Sequence, residues 1–135
     1  REKKFILNLY NLALYMTKEI KRNIIEIDAT GRAVGRVATE AAMKLMGKNK
    51  ADFERYIDTG DFVVINNVSK VKFTGRKLEQ KDFYHHTMHP GSLKREPMKK
   101  MFETNPGRVM RHAIDGMLPK NKLRKEMLKR LTLNA

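Results

Sequence analysis

Apolar residues change their spacing several times along this chain, and each change predicts an element. Ile24 to Ile27 (IIEI) is a short β-branched run, the pattern of a strand. Asp28-Ala29-Thr30-Gly31 turns the chain. Beyond it Val34, Val37, Ala38, Ala41, Ala42 and Leu45 fall on one face at helical spacing, which predicts a helix over Ala33–Met46. Thr30 stands where its N-cap is expected and Gly47 where a left-handed stop is expected. Lys48-Asn49-Lys50 reads as a basic loop and Asp58-Thr59-Gly60-Asp61 as a turn. Phe62 to Ile65 (FVVI) is continuously apolar, as in a strand covered on both faces. Val71-Lys72-Phe73-Thr74 alternates and predicts a further strand. Lys81 to His86 is the last strand candidate.

After His89-Pro90-Gly91 the pattern becomes helical. Pro97 suits the first position of a helix over Met98–Glu103. Pro106 starts another, with Val109, Met110, Ala113 and Ile114 on one face and Gly116 ending it. Pro119 begins the last, where Leu123, Met127 and Leu131 form a stripe. Strands alternating with helices predict an α/β fold with a short, mainly parallel sheet. The 135 residues suit one domain over 24–135, preceded by a basic, partly helical extension over 1–23. Phe5 to Met16 is the most apolar run, and it is too short for a membrane span.

Charge sharpens this picture. The chain carries 29 Lys and Arg against 15 Asp and Glu, a net charge of +14. It is segregated: Lys94 to Arg130 holds twelve basic residues against four acids, a net of +8. Residues 24–93 hold eleven against nine, and residues 1–23 six against two. Solubility asks for a net charge of only about 2–8 in a small domain. A cationic end of this density predicts a polyanionic partner, and its clustering is the footprint of nucleic-acid binding. The absence of cysteine excludes disulfides, thiolate chemistry and Cys-based zinc sites, and it fits a reducing compartment. Trp is absent too, so base stacking falls to Tyr, Phe, His or Arg.

Three short patterns invite catalytic or ligand readings. Asp58-Thr59-Gly60 matches the aspartic-protease tripeptide, whose chemistry needs two carboxylates about 3 Å apart. The charged Asp61 that follows argues for a capped turn instead. His85, His86 and His89, with Asp82 or Asp61, offer imidazoles for a metal, but adjacent residues on a strand point to opposite faces. The same Tyr-His-His-Thr stretch beside Lys94-Arg95 offers rings and donors to unpaired bases and phosphates. Gly31-Arg32-Ala33-Val34-Gly35-Arg36 is neither dinucleotide fingerprint nor P-loop. Arg32 and Arg36 at a helix start can still hold one backbone phosphate, Gly31 turns the chain, and Gly35 is expected to let the helix pack closely on the sheet.

Four blocks carry a family resemblance: Ile27 to Thr39 (IDATGRAVGRVAT), Tyr56 to Asn67 (YIDTGDFVVINN), Tyr84 to Leu93 (YHHTMHPGSL) and Gly116 to Leu131 (GMLPKNKLRKEMLKRL). In order and spacing they resemble the bacterial-type large-subunit ribosomal protein thirteen family over about residues 24–131. The resemblance implies a three-layer α/β/α domain and a basic helical C-terminal part that binds RNA. It implies a structural protein of the large subunit that binds large-subunit rRNA early in assembly, beside neighbouring ribosomal proteins. It implies no catalysis, cofactor, metal, membrane or small-molecule substrate. The expected location is the cytoplasmic ribosome, with an organellar ribosome as the other setting. Two features depart from the family: Met88 and Ser92 replace glycines of the histidine loop, and Asp115 replaces a common basic residue, removing a phosphate contact.

The expected RNA-binding residues are therefore Arg32 and Arg36 at the helix start; Lys48, Lys50 and Arg55 in the following loop; Arg76 and Lys77 in the next; and His85, His86 and His89 in the histidine loop. From the basic third come Lys94, Arg95, Lys99, Lys100, Arg108, Arg111, Lys120, Lys122, Arg124, Lys125, Lys129 and Arg130. Most should position the RNA backbone and not read bases. The other readings are a messenger-RNA regulator outside the ribosome and a small His-dependent nuclease or metal hydrolase.

Overall fold

The computed structural model describes residues 20–135, so the expected helix near the N-terminus lies outside the described residues. Its centre is a three-stranded parallel sheet in the order β1-β2-β5, with β1 over Ile24–Asp28, β2 over Phe62–Asn66 and β5 over Leu131–Leu133. Ile25 pairs with Val63 and Ile27 with Ile65; Val63 and Ile65 pair in turn with Leu131 and Leu133. Strand alternation therefore puts six apolar side chains on one face.

Helix α1 (Val34–Met46) makes the crossover from β1 to β2 and presses on that face. Its contact residues Val37, Ala38, Ala41, Ala42 and Leu45 are all buried. Three of the five are alanines, so the helix axis lies close to the strands. Helix α4 (Pro106–Met117) adds Met110 and Ile114, and Met127 arrives from α5 (Arg124–Lys129). A second, smaller cluster gathers Met98, Met101 and Val109 with Phe73, Leu78, Phe83 and Phe102. It lies between the short helices α2 (Lys77–Gln80) and α3 (Met98–Thr104) and an antiparallel hairpin of β3 (Asp82–His86) and β4 (Leu93–Pro97). Phe73 meets Phe102 edge-on at 5.0 Å, and Phe83 meets His112 at 4.7 Å. The smaller cluster thus fastens the hairpin to the helices.

The α/β class and the short parallel sheet are as the sequence predicts. Among the described residues helices cover one face of the sheet. On the other, Ile24, Glu26, Asp28, Phe62 and Thr132 are exposed, and these residues supply no second helical layer. The strand over Phe62–Ile65 is accordingly buried at Val63 and Ile65 only, with Phe62 43 % exposed, instead of being covered on both sides.

Several local expectations change. Thr30 does not cap α1: its hydroxyl donates to Asp28 at 2.7 Å, and Ala33 holds the cap position without a side-chain bond. The Asp28 carboxyl sits below its usual range because it accepts from the Thr30 hydroxyl, the Thr30 N–H and Asn67. Gly47 does end the helix in the left-handed region, at φ 79°. Val71–Thr74 makes a single isolated bridge, Lys72 to Ala33 at the start of α1, and does not join the sheet. Residues beyond Gly91 form β4 before any helix, since Leu93–Pro97 finds β3 to pair with. Pro97 is the cap of α3, one place before its expected position. Gly116 lies inside α4, which ends at Met117. Pro119 opens a turn, and the last helix starts at Arg124. Leu131 is a strand residue, because an open sheet edge beside Val63 outcompetes another helical turn.

Candidate nucleic-acid interface

The expected cations divide into three sets, and the division starts at Asp58-Thr59-Gly60-Asp61. This segment is no free turn. It passes over the C-terminal end of α1 so closely that a Cβ on Gly60 would lie 1.7 Å from the Leu45 carbonyl oxygen. Asp58 faces inward and accepts two bonds from Arg130, at 2.5 and 2.6 Å. Arg130 is 6 % exposed and also donates to the Leu45 carbonyl at 3.2 Å. Its charge is neutralised within the fold. Asp58 therefore has a structural partner in place of the second carboxylate that protease chemistry requires.

Asp61 is fully buried and pairs with Lys50 at 2.5 Å. Lys50 donates as well to the carbonyls of Lys21 and Thr59, each at 2.9 Å. Burial pushes the Asp61 carboxyl up, but the bonds from Lys50 and the Asn23 N–H outweigh it and hold the group below its usual range. Arg124 is likewise turned to the body of the protein, where Asp115 binds it through both its carboxylate and its backbone carbonyl, the latter at 2.5 Å. Asp115 thus engages a neighbouring cation.

A middle group is paired but exposed. Arg32 binds Glu40 at 2.6 Å, Arg95 binds Asp82 at 2.6 Å, Arg108 binds Glu96 at 3.1 Å and Lys129 binds Glu126 at 2.9 Å. The pairs of Arg32, Arg108 and Lys129 contribute about 0–1 kcal/mol each, whereas the Asp82 side chain that holds Arg95 is only 10 % exposed.

The remaining expected residues are exposed and have no carboxylate partner among the described residues. Arg36, Arg76 and Lys77 lie around the start of α1 and of α2. Lys94 is on β4, Lys99 and Lys100 on α3, and Arg111 on α4, where its guanidinium reaches the Leu128 carbonyl at 3.4 Å. Lys120, Lys122 and Lys125 follow in the turn and at the start of α5. Two clefts hold more than one of these cations. One, of about 300 Å³, sets Lys48 and Arg55 against Pro119 and Asn121. The other, of about 430 Å³, sets Arg36 and Lys77 beside Lys72. Lys72 escaped the sequence reading because it looked like one polar position of an alternating strand; its place between two other cations was the signal. Gly35 lines this second cleft with open space where its side chain would be, so it does not serve close packing on the sheet.

In the hairpin, His85 shares a face with Phe83, while His86 shares the opposite face with Tyr84. His89 is exposed in the loop beyond. Alternation separates the imidazoles, and no three metal-ligating side chains converge among the described residues. No helix among them is long and apolar enough to cross a membrane.

An α/β scaffold that keeps some cations for its own carboxylates and leaves many more outside, spread over helices, hairpin and loops, has the charge distribution of the class of basic, polyanion-binding proteins. Comparison with known proteins makes the assignment specific. Residues 22–135 match the family described as ribosomal protein L13, and the chain belongs to that family. It is 48 % identical over 118 residues to the large ribosomal subunit protein uL13 of Maridesulfovibrio salexigens, covering 87 % of this chain and 83 % of that one. The protein of the same name from Aliarcobacter butzleri is 51 % identical, with coverage of 87 % and 84 %. That from Legionella pneumophila is 42 % identical, with 87 % and 81 %.

Proposed function

We propose that this chain is a structural, non-enzymatic constituent of the large ribosomal subunit, that it binds large-subunit rRNA through backbone phosphates, and that it supports early subunit assembly beside neighbouring ribosomal proteins. The observation that carries the reading is the segregation of its cations. Lys94, Lys99, Lys100, Arg111, Lys120, Lys122 and Lys125 are exposed without carboxylate partners among the described residues, on adjoining elements of one basic third. Self-repulsion on that scale is relieved by phosphates, and family membership supplies the RNA. Contacts of this type place a protein on RNA and carry little sequence information themselves.

The test is a titration of large-subunit rRNA fragments, and of an unrelated structured RNA of equal length, at two salt concentrations. A salt-sensitive preference for one rRNA fragment is expected, together with co-sedimentation with large-subunit particles. Equal binding to both RNAs without co-sedimentation overturns the reading.

A further inference from the structure

The hairpin has an outer face that the fold does not use. The Thr87 N–H donates to the Ser92 carbonyl at 3.2 Å, and the Met98 N–H donates to the Lys81 carbonyl at 2.9 Å. These two bonds set the phase of the antiparallel ladder. His85–Lys94 and Phe83–Glu96 are then hydrogen-bonded pairs, and Tyr84–Arg95 and His86–Leu93 are the alternate pairs between them. In such alternate pairs the side chains approach most closely. The inner face is occupied: Phe83 packs on His112, and Glu96 binds Arg108. On the outer face Tyr84 is 60 % exposed and the Arg95 side chain 65 %.

Arg95 is not loose despite its exposure. Asp82, diagonal to it on the same face, binds its Nη2 at 2.6 Å, and the Asp82 side chain is itself only 10 % exposed. A carboxylate of the same face therefore holds the guanidinium of the residue directly across from Tyr84. The Arg95 pKa is raised by that bond and by the Asp82 charge, which agrees with the ion pair. Leu93 and His86 extend the face toward the loop. A lone exposed tyrosine needs no explanation. A ring directly across the ladder from an ion-paired arginine is a different object: an aromatic and a cation offered on one outer face.

Such a surface suits one kind of RNA. Bases inside a duplex are stacked on one another and present no free ring. An unpaired base does, and it stacks on aromatic rings and on arginine planes. We propose that Tyr84, with Arg95 held beside it by Asp82, is a stacking platform for one unpaired base, so that the hairpin engages a loop or bulge and the basic helices engage phosphates. This rests on the RNA-binding reading above.

The experiment compares the whole chain with its Tyr84→Ala, Tyr84→Leu and Tyr84→Phe variants, titrated with an oligoadenylate single strand and with a blunt RNA duplex of equal phosphate count. Tyr84→Ala and Tyr84→Leu are expected to weaken single-strand binding by about 10- to 100-fold and to leave duplex binding unchanged. Tyr84→Phe keeps both. Phe83, not Tyr84, seats the hairpin, so thermal midpoints should stay together, and Tyr84→Phe provides the comparison if the others unfold. Full single-strand affinity in Tyr84→Leu, or an equal loss on both RNAs, overturns the platform. So does a loss on anionic vesicles with RNA binding retained, which assigns the patch to a membrane surface. A wild-type chain that binds neither RNA overturns the RNA-binding reading itself, which separates that failure from a failure of Tyr84 alone.

Discussion

Arg130 and Lys122 are both cations of the C-terminal stretch, eight residues apart, and they do opposite things. Arg130 is buried on Asp58 and the Leu45 carbonyl, joining the last helix to the loop before β2 and to the end of α1. Lys122 is exposed in a turn with no carboxylate partner among the described residues. Local composition does not distinguish them. What does is whether an acid from a distant part of the chain arrives: Asp58 is 72 positions away from Arg130. A basic segment is therefore two populations, one that closes the fold and one left for a partner. The described cations range between these two, with the exposed ion pairs of Arg32, Arg95, Arg108 and Lys129 in the middle.

The largest effect should come from breaking the inner population. Asp58→Ala leaves the Arg130 guanidinium buried and unpaired, and loss of one partner of a buried pair costs about 3–5 kcal/mol. Chemical denaturation should show a loss of that order. The salt dependence of RNA binding by the remaining folded protein should not change. A loss below about 1 kcal/mol would put Arg130 with the exposed cations.

The outer population responds in the other way. Reversing the charge of Lys122, Lys125 and Lys129 together should leave the unfolding midpoint nearly unchanged, because all three are exposed and the Lys129–Glu126 pair is a surface one. RNA affinity should fall. Each phosphate contact contributes about 0.7–0.9 to the slope of log affinity against log salt, so removing up to three should flatten that slope by about two. An unchanged slope would mean that this part of the chain does not face RNA.

Acid sharpens the same contrast. The Asp61 carboxyl is held below its usual range in the folded state. A lowered carboxylate stabilises the fold above its unfolded value, about 3.9, and loses that contribution as pH falls through the folded value. Urea midpoints should therefore be flat from pH 7 to about 5 and drop below about 4. Asp61→Asn should be weaker at pH 7, since Lys50 loses its partner, and should drop less in acid. A variant with the same acid slope as the wild type would remove Asp61 as a cause.

Most of the sheet and three of the helices, α1, α3 and α4, are legible in the sequence because their signals are local. The α1 stripe from Val34 to Leu45, Gly47 behind it, and Pro106 before α4 are each decided within a few residues. What escaped depends on pairing with something distant. Leu93–Pro97 is a strand only because β3 lies beside it, and Leu131–Leu133 only because β2 offers an edge. The site divides along the same line. Clustered exposed lysines are visible in composition, whereas the inward turn of Lys50, Arg124 and Arg130 needs Asp61, Asp115 and Asp58 to be brought to them. The hairpin ladder, which puts Tyr84 and Arg95 on one face, also has no local signature.

Gly116 gives the smallest test. Its position before Met117-Leu118-Pro119 made it look like a helix terminator, yet it lies within α4 and a side chain there would meet nothing within 4 Å. Its backbone is not in the left-handed region, so alanine fits without strain. Replacing a glycine at such a place stabilises by about 0.4–1 kcal/mol, largely by restricting the unfolded chain. Gly116→Ala should raise the unfolding midpoint accordingly. A drop would mean that the helix end needs glycine after all, and the boundary between the α4 core contacts and the basic turn at Lys120 would have to be redrawn.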